Sequence, residues 1–237
     1  MYDGFEDPGE TLDHVLEADP DGILASVPFL RRFESRIAAA DVHTIGTIDL
    51  LYDSTLPGQH EDAEIHTQVF SAADAAEVAD AAKVALVYGR DEPGVLKENA
   101  EFVARASEAC RAADIPLVVE PTLWGNRVTD EFDPDLLAHA NRLAFELGAD
   151  ILKSPYPTAG FEPIAANAPQ PMYIAGGPAV DTDREVLEMV RGACDAGALG
   201  VMFGRNIWQR DDPAAVIDAL SSIVHGDTTV EEAATQL

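Results

Sequence analysis

The 237-residue chain predicts an α/β fold, a TIM (β/α)8-type barrel, and three features carry that expectation. Short apolar runs alternate with amphipathic helical stretches along the chain, the pattern of strand–helix units laid on a parallel sheet. The runs are apolar throughout instead of alternating with polar residues, as in strands covered on both faces. Glycines follow the last two runs, where barrels commonly build a phosphate site. The GxGxxG that an open dinucleotide-binding sheet carries after a strand does not occur.

In chain order, strands are expected at 22–28 (GILASVP), 43–49 (HTIGTID), 83–88 (KVALVY), 115–120 (IPLVVE), 149–153 (ADILK), 171–175 (PMYIA) and 199–203 (LGVMF). Helical patterns lie between them, for example at 71–81, 92–113, 133–147, 182–196 and 212–224. Several open on recognisable caps: Ser71 before an alanine-rich run, Asp133 with Pro134 at the first helical position, and Asp181/Thr182. Counted back from 199–203 as the eighth strand, 22–28 becomes the second. Residues 1–20 then read as a loop and the first helix, and strand 1 is missing. Either the start lies upstream or another element closes the barrel. Residues 226–237 read as a polar tail, mobile or packed as a helix. Length and pattern give one barrel domain over 1–237.

The net charge of -28 and pI near 4.2 make nucleic acid and anionic membranes poor partners. With 47% hydrophobic residues and acids spread along the chain, the charge does not point to disorder. Lysine occurs only at 83, 97 and 153, against 12 arginines. Many acids with few lysines fit a protein of a salt-loving organism, where salt screens self-repulsion. No apolar stretch spans a membrane and no basic-then-apolar leader opens the chain, so a cytoplasmic location is expected. Cys110 and Cys194 lie apart in helical patterns, which supports neither a disulfide framework nor a zinc site and implies a reducing compartment.

Lys153 ends the apolar strand ADILK, and the C-terminal ends of barrel strands are where catalytic groups point. Burial disfavours an ammonium and lowers its pKa, leaving an amine that attacks a ketone or aldehyde. A strand-end lysine that reaches solvent or pairs with Asp150 fits the same residues. AGGP (175–178) and FGRN (203–206) each follow a strand. Their glycines let backbone N–H groups approach an anion, the following helix adds its positive end, and Arg205 offers a bidentate fork. A tight turn with a structural arginine is the plainer reading. The cluster His60, Glu61, Asp62, Glu64, His66 has the residue types of a metal site, but in so acidic a chain it reads as a solvated loop, and no metal is expected.

ADILKSPYP followed by YIAGGPAVDTDREVLEMVRGACDAGALGVMFGRNIWQRDDP resembles the archaeal-type class I aldolases. That family includes fructose-bisphosphate aldolase and 2-amino-3,7-dideoxy-D-threo-hept-6-ulosonate synthase. The similarity is clear over about residues 133–225 and weaker back to about residue 1. It implies a Schiff base at Lys153, substrate-phosphate binding by Gly176, Gly177, Gly204 and Arg205, a phosphorylated sugar substrate, no cofactor, and a homo-oligomer. The family's acid–base tyrosine just past strand 5 has no counterpart: Thr122 stands at about that place. Glu120 is the nearest substitute, similar to the glutamate of tagatose-bisphosphate aldolases, and a desolvated Glu120 is expected to have a raised pKa suited to proton transfer. The acidic residue of the family's first strand is also unfilled. Trp124 reads as sugar-site lining or rim packing. Tyr156 reads as a tyrosine substitute or, between two prolines, as a stiffened loop.

Overall fold

The computed structural model describes residues 4–52, 65–90 and 94–237. Seven strands form one parallel sheet: β1 (Gly22–Ser26), β2 (His43–Thr47), β5 (Ala81–Tyr88), β6 (Leu117–Leu123), β7 (Ile151–Pro155), β8 (Met172–Ala175) and β9 (Gly200–Met202), neighbours in chain order. All seven coincide with the expected strands to within a few residues. An antiparallel pair, β3 (Asp49–Tyr52) and β4 (Ile65–Gln68), is set between β2 and β5. The sequence pattern does not announce it, because each strand is four residues long, too short for a periodicity to register.

The helices are α1 (Pro8–Glu17), α2 (Val27–Ala40), α3 (Ala72–Ala76), α4 (Val95–Ala113), α5 (Pro134–Glu146), α6 (Phe161–Asn167), α7 (Asp183–Asp195), α8 (Arg205–Trp208), α9 (Pro213–Gly226) and α10 (Val230–Ala233). Their starts are written locally. Asp7, Asp133 and Asp212 each precede a first-turn proline and accept backbone N–H bonds, and Ser71, Thr182 and Thr229 close reciprocal capping boxes. The tail is packed: Val230 and Ala233 are buried with α7 and α9.

The main core lies outside the strands, not within the ring. Val84, Leu86, Val119, Leu152 and Ile174 are fully buried against Val103, Leu137 and Ala140 of the surrounding helices. The opposite pleat is free of that apolar packing at the positions that carry the charges, which is where the site forms.

β1 and β9 each pair on one side only, so the sheet is a nearly closed TIM-type barrel open between them. The helical layer runs across that opening. Leu12 of α1 packs with Leu30 and Ile37 of α2, while Ala18, just past α1, packs with Val216 and Leu220 of α9. His225 Nε2 lies 2.9 Å from Asp21 Oδ2, tying the end of α9 to the start of β1. The first helix thus holds its expected place, and the first strand is the position the ring lacks among the described residues.

Candidate active site

Strand register brings three ionisable side chains together on the inner face. Ala85 of β5 pairs with Glu120 of β6, and Lys83, two residues earlier, shares its side of the pleat. Lys153 of β7 faces the same space. Lys153 Nζ lies 2.9 Å from Glu120 Oε1, and Lys83 Nζ lies 2.8 Å from Glu120 Oε2. One carboxylate is therefore held between two ammoniums, one to each oxygen, with the three side chains only 12–19% exposed.

This geometry sets the charges. Burial by itself would raise the Glu120 pKa, but Lys83 and Lys153 together outweigh it and take the carboxyl down to about 2. The expectation of a raised pKa was drawn from desolvation alone and is overturned by the two cations. Lys153 moves down from its ordinary value, chiefly through burial, with Lys83 adding repulsion and Glu120 opposing. Lys83 moves up: burial acts against its charge, but Glu120 and Asp49 outweigh burial.

Behind Lys83 the polar chain continues. Asp49 Oδ1 lies 3.9 Å from Lys83 Nζ and accepts from the Thr47 hydroxyl at 3.0 Å. Asp49 Oδ2 accepts the Ala85 N–H at 2.6 Å and meets His66 Nε2 at 2.8 Å. Burial would raise Asp49, but Lys83, the His66 bond and the Ala85 N–H hold it at about 2. His66 Nδ1 meets Asn99 Oδ1 of α4 at 2.7 Å. Lys83, Asp49 and Asn99 are not legible as site residues, and His66 is flagged only within the acidic–histidine cluster. The scarcity of lysine singled out Lys83 as readily as Lys153, but only the β5–β6 register reveals its partner.

The two glycine loops emerge side by side, since Ala175 is paired with Pro155 and with Met202. Gly177 has φ +61°, the left-handed region that glycine takes without cost. Asn206, fully buried, joins the loops: its Nδ2 donates to Gly176 O (2.7 Å) and Pro178 O (3.2 Å), and its Oδ1 accepts from Val180 N (2.9 Å). Arg205 Nη2 donates to Gly177 O at 2.9 Å. The N-terminus of α7 is occupied by its own Thr182–Glu185 capping box, whereas no side chain caps α8 at Gly204. The box satisfies the Thr182 and Glu185 N–H groups of α7.

Tyr156 is not in the site. A Cβ on Gly192 of α7 would lie 2.6 Å from its hydroxyl, and its ring meets Phe161 edge-on at 5.1 Å between centroids, so it packs behind the wall. Thr122 stands one rung beyond Glu120 on the same pleat, its hydroxyl 3.4 Å from Glu120 O. The backbone N–H of Trp124 donates to Tyr88 O at 3.0 Å. Of the acidic–histidine cluster, His60, Glu61, Asp62 and Glu64 lie outside the described residues. Among the described residues no three His, Cys, Asp or Glu side chains are grouped as metal ligands. No helix among them is long and apolar enough to cross a membrane.

Replacing Glu120 by Gln leaves two buried ammoniums without their counter-charge. The expected loss is on the order of 3 kcal/mol, read as a lowered chemical-denaturation midpoint, and it shrinks as pH rises and a lysine sheds its proton. A loss independent of pH between 7 and 10 contradicts the clamp. Asn206→Ala, which removes three loop bonds at once, is expected to weaken phosphate protection of the fold while leaving the Lys153–Glu120 pair intact.

The family model for DeoC/LacD family aldolases matches residues 1–210. Over 175 residues the chain is 39% identical to a class 1 fructose-bisphosphate aldolase of Halobacterium salinarum, covering 73% of this chain and 64% of the relative. Over 129 residues it is 37% identical to 2-amino-4,5-dihydroxy-6-oxo-7-(phosphonooxy)heptanoate synthase of Streptomyces griseus, covering 54% of this chain and 47% of the relative. The chain thus spans less than two thirds of the length of either. Among solved structures, it is similar to an archaeal fructose-1,6-bisphosphate aldolase whose catalytic lysine is covalently bound to the carbinolamine intermediate of the substrate. That match has TM-score 0.80 and 26% identity, and covers 94% of this chain and 88% of that one.

Proposed function

The chain belongs to the DeoC/LacD aldolase family, and we propose that it is a class I aldolase that makes or breaks a carbon–carbon bond in a phosphorylated ketose through an imine at Lys153. The observation that carries this reading is the Lys83–Glu120–Lys153 clamp: a buried lysine of lowered pKa, 2.9 Å from a carboxylate positioned to take its proton. Fructose 1,6-bisphosphate is the leading substrate, by similarity to the Halobacterium and archaeal enzymes and because two glycine loops suit a phosphorylated ketose. The Streptomyces relative, a synthase of an amino-acid-like sugar phosphate by its name, favours a second reading: a transaldolase-type 2-amino-3,7-dideoxy-D-threo-hept-6-ulosonate synthase.

In the proposed reaction Lys153 passes a proton to Glu120 and its amine adds to the keto carbon. The protonated Glu120 then helps the carbinolamine hydroxyl leave as water, giving the iminium. Glu120, held low by Lys83 and by the cationic iminium nitrogen, gains basicity as the C3–C4 electrons neutralise that nitrogen. It takes the proton of the C4 hydroxyl as the C3–C4 bond breaks into the iminium, returns it to the enamine carbon, and water releases the product. Lys83 remains charged throughout and keeps Glu120 in place. Gly176, Gly177, Gly204 and Arg205 bind the phosphate. Neither metal nor organic cofactor is used in this scheme. The 43 acids against 15 bases support work in concentrated salt, and a single-domain, homo-oligomeric cytoplasmic enzyme of sugar-phosphate metabolism completes the reading.

Borohydride reduction with fructose 1,6-bisphosphate or dihydroxyacetone phosphate, in high salt, is expected to leave a stable adduct on Lys153, mapped by mass spectrometry and absent from Lys153→Met. Glu120→Gln is expected to lower kcat by about 10²- to 10⁴-fold. The midpoint of the pH dependence of trapping is expected below 10.5, the ordinary lysine value. A folded protein that forms no adduct with any phosphorylated ketose would sink the aldolase reading in favour of a sugar-phosphate binder without turnover.

A further inference from the structure

Three residues, Asp49, Lys83 and Glu120, stand between His66 and Lys153, and the groups around His66 dictate its protons. Asn99 is fixed in orientation from two sides: its Nδ2 donates to Val95 O at 3.0 Å, and its Oδ1 accepts the Val87 N–H at 3.3 Å. Oδ1 is an acceptor only, so His66 Nδ1, 2.7 Å away, must donate to it. On the other side of the ring, Nε2 meets Asp49 Oδ2 at 2.8 Å. That oxygen already accepts the Ala85 N–H, and the carboxyl is ionised well below neutral pH. Nε2 must therefore donate as well. Both bonds form together only when the ring carries two protons.

Among the described residues the charged and titratable groups facing the ring are few. Asp49 comes from β3, with Lys83 of β5 behind it. From α4 come the neutral Asn99 and the edge of Phe102, 5.1 Å between ring centroids. The side chains of His66, Asp49 and Lys83 are only 10%, 3% and 12% exposed, so solvent does little to balance charge here.

We infer that His66 is held as an imidazolium that satisfies Asp49, and that it thereby sets the charge balance at Lys153. This inference rests on the Lys153 reading above. With His66 charged, the line His66–Asp49–Lys83–Glu120 alternates in sign and sums to zero, and the Lys153 ammonium is the surplus charge. With His66 neutral, Asp49 needs Lys83 and Glu120 needs Lys153, which holds the nucleophile protonated. The distances agree with the first arrangement: Lys83 is 2.8 Å from Glu120 but 3.9 Å from Asp49. His66 is accordingly a positioning residue that acts through charge and touches neither substrate nor nucleophile.

Two measurements test it. Nitrogen-15 NMR of histidine-labelled wild-type protein at neutral pH is expected to find protons on both ring nitrogens of His66, and a singly protonated ring overturns the inference without any variant. Borohydride trapping of dihydroxyacetone phosphate on Lys153 is then followed against pH. His66→Gln keeps a donor to Asp49 but no charge, and is expected to move the acid limb up by about one pH unit, so that trapping below it is about tenfold slower. His66→Gln/Asp49→Asn removes both charges and is expected to return the limb most of the way. An unmoved limb in His66→Gln, or a double variant no better than the sum of the singles, leaves His66 a structural role only and overturns the inference. Failure of wild-type protein to trap at all would count against the imine reading instead, with the NMR result still deciding the charge of His66.

Discussion

A carboxylate between two ammoniums is the constraint around which the inner face is organised. With both lysines charged at hydrogen-bonding distance Glu120 rests as a carboxylate, and neither lysine could be buried to this degree without it. The strands place these groups: β5, β6 and β7 are adjacent and parallel, so side chains on one pleat line up laterally and converge where the ring curves. The same alternation that turns Leu152 out into the helical layer turns Lys153 in.

The clamp also makes the site asymmetric in charge. Lys83 is tied at its far side to Asp49, and Asp49 to His66, so the second lysine is a fixed cation while Lys153 is the one left to give up its proton. In the proposed reaction this divides labour between two residues of one type. Lys83 maintains the field, and Lys153 changes its covalent state. Without Lys83, Glu120 would hold Lys153 more firmly as an ammonium, and a buried amine nucleophile would be harder to reach.

The anion loops are built on a different principle. Their positions come from backbone hydrogen bonds to one buried side chain, Asn206, which links residues 176, 178 and 180 to the loop after β9. Arg205 is folded back onto Gly177 O, so the arginine and the glycine pair form one unit. Nearby, α7 closes its own capping box between Thr182 and Glu185. In the proposed function, a phosphate held by these loops at one end of a ketose orients the carbonyl at the other toward Lys153.

Much of this was legible in the chain itself. The seven strands were readable because strands buried on both faces are continuous apolar runs, and the helix starts because Asp-Pro and Ser/Thr-x-x-acid signals act within one turn. Lys153 and the two glycine loops were read from their places at strand ends, a local property, and Glu120 from the family resemblance. The mutual distances of Lys83, Glu120 and Lys153 were not, because these depend on register between strands more than 30 residues apart in sequence. That is why Glu120 was expected to have a raised pKa and has a depressed one: burial can be guessed from an apolar run, but two lysines arriving from other strands cannot. Lys83 stood out only as one of three lysines and His66 only within an acidic–histidine cluster, while Asp49 and Asn99 carry no signal of their own. The sequence by itself determined which elements form and which of them carry reactive ends. Only the tertiary structure decided which charges meet, because Coulomb and hydrogen-bond energies depend on separations of a few ångströms that the closing of the sheet sets.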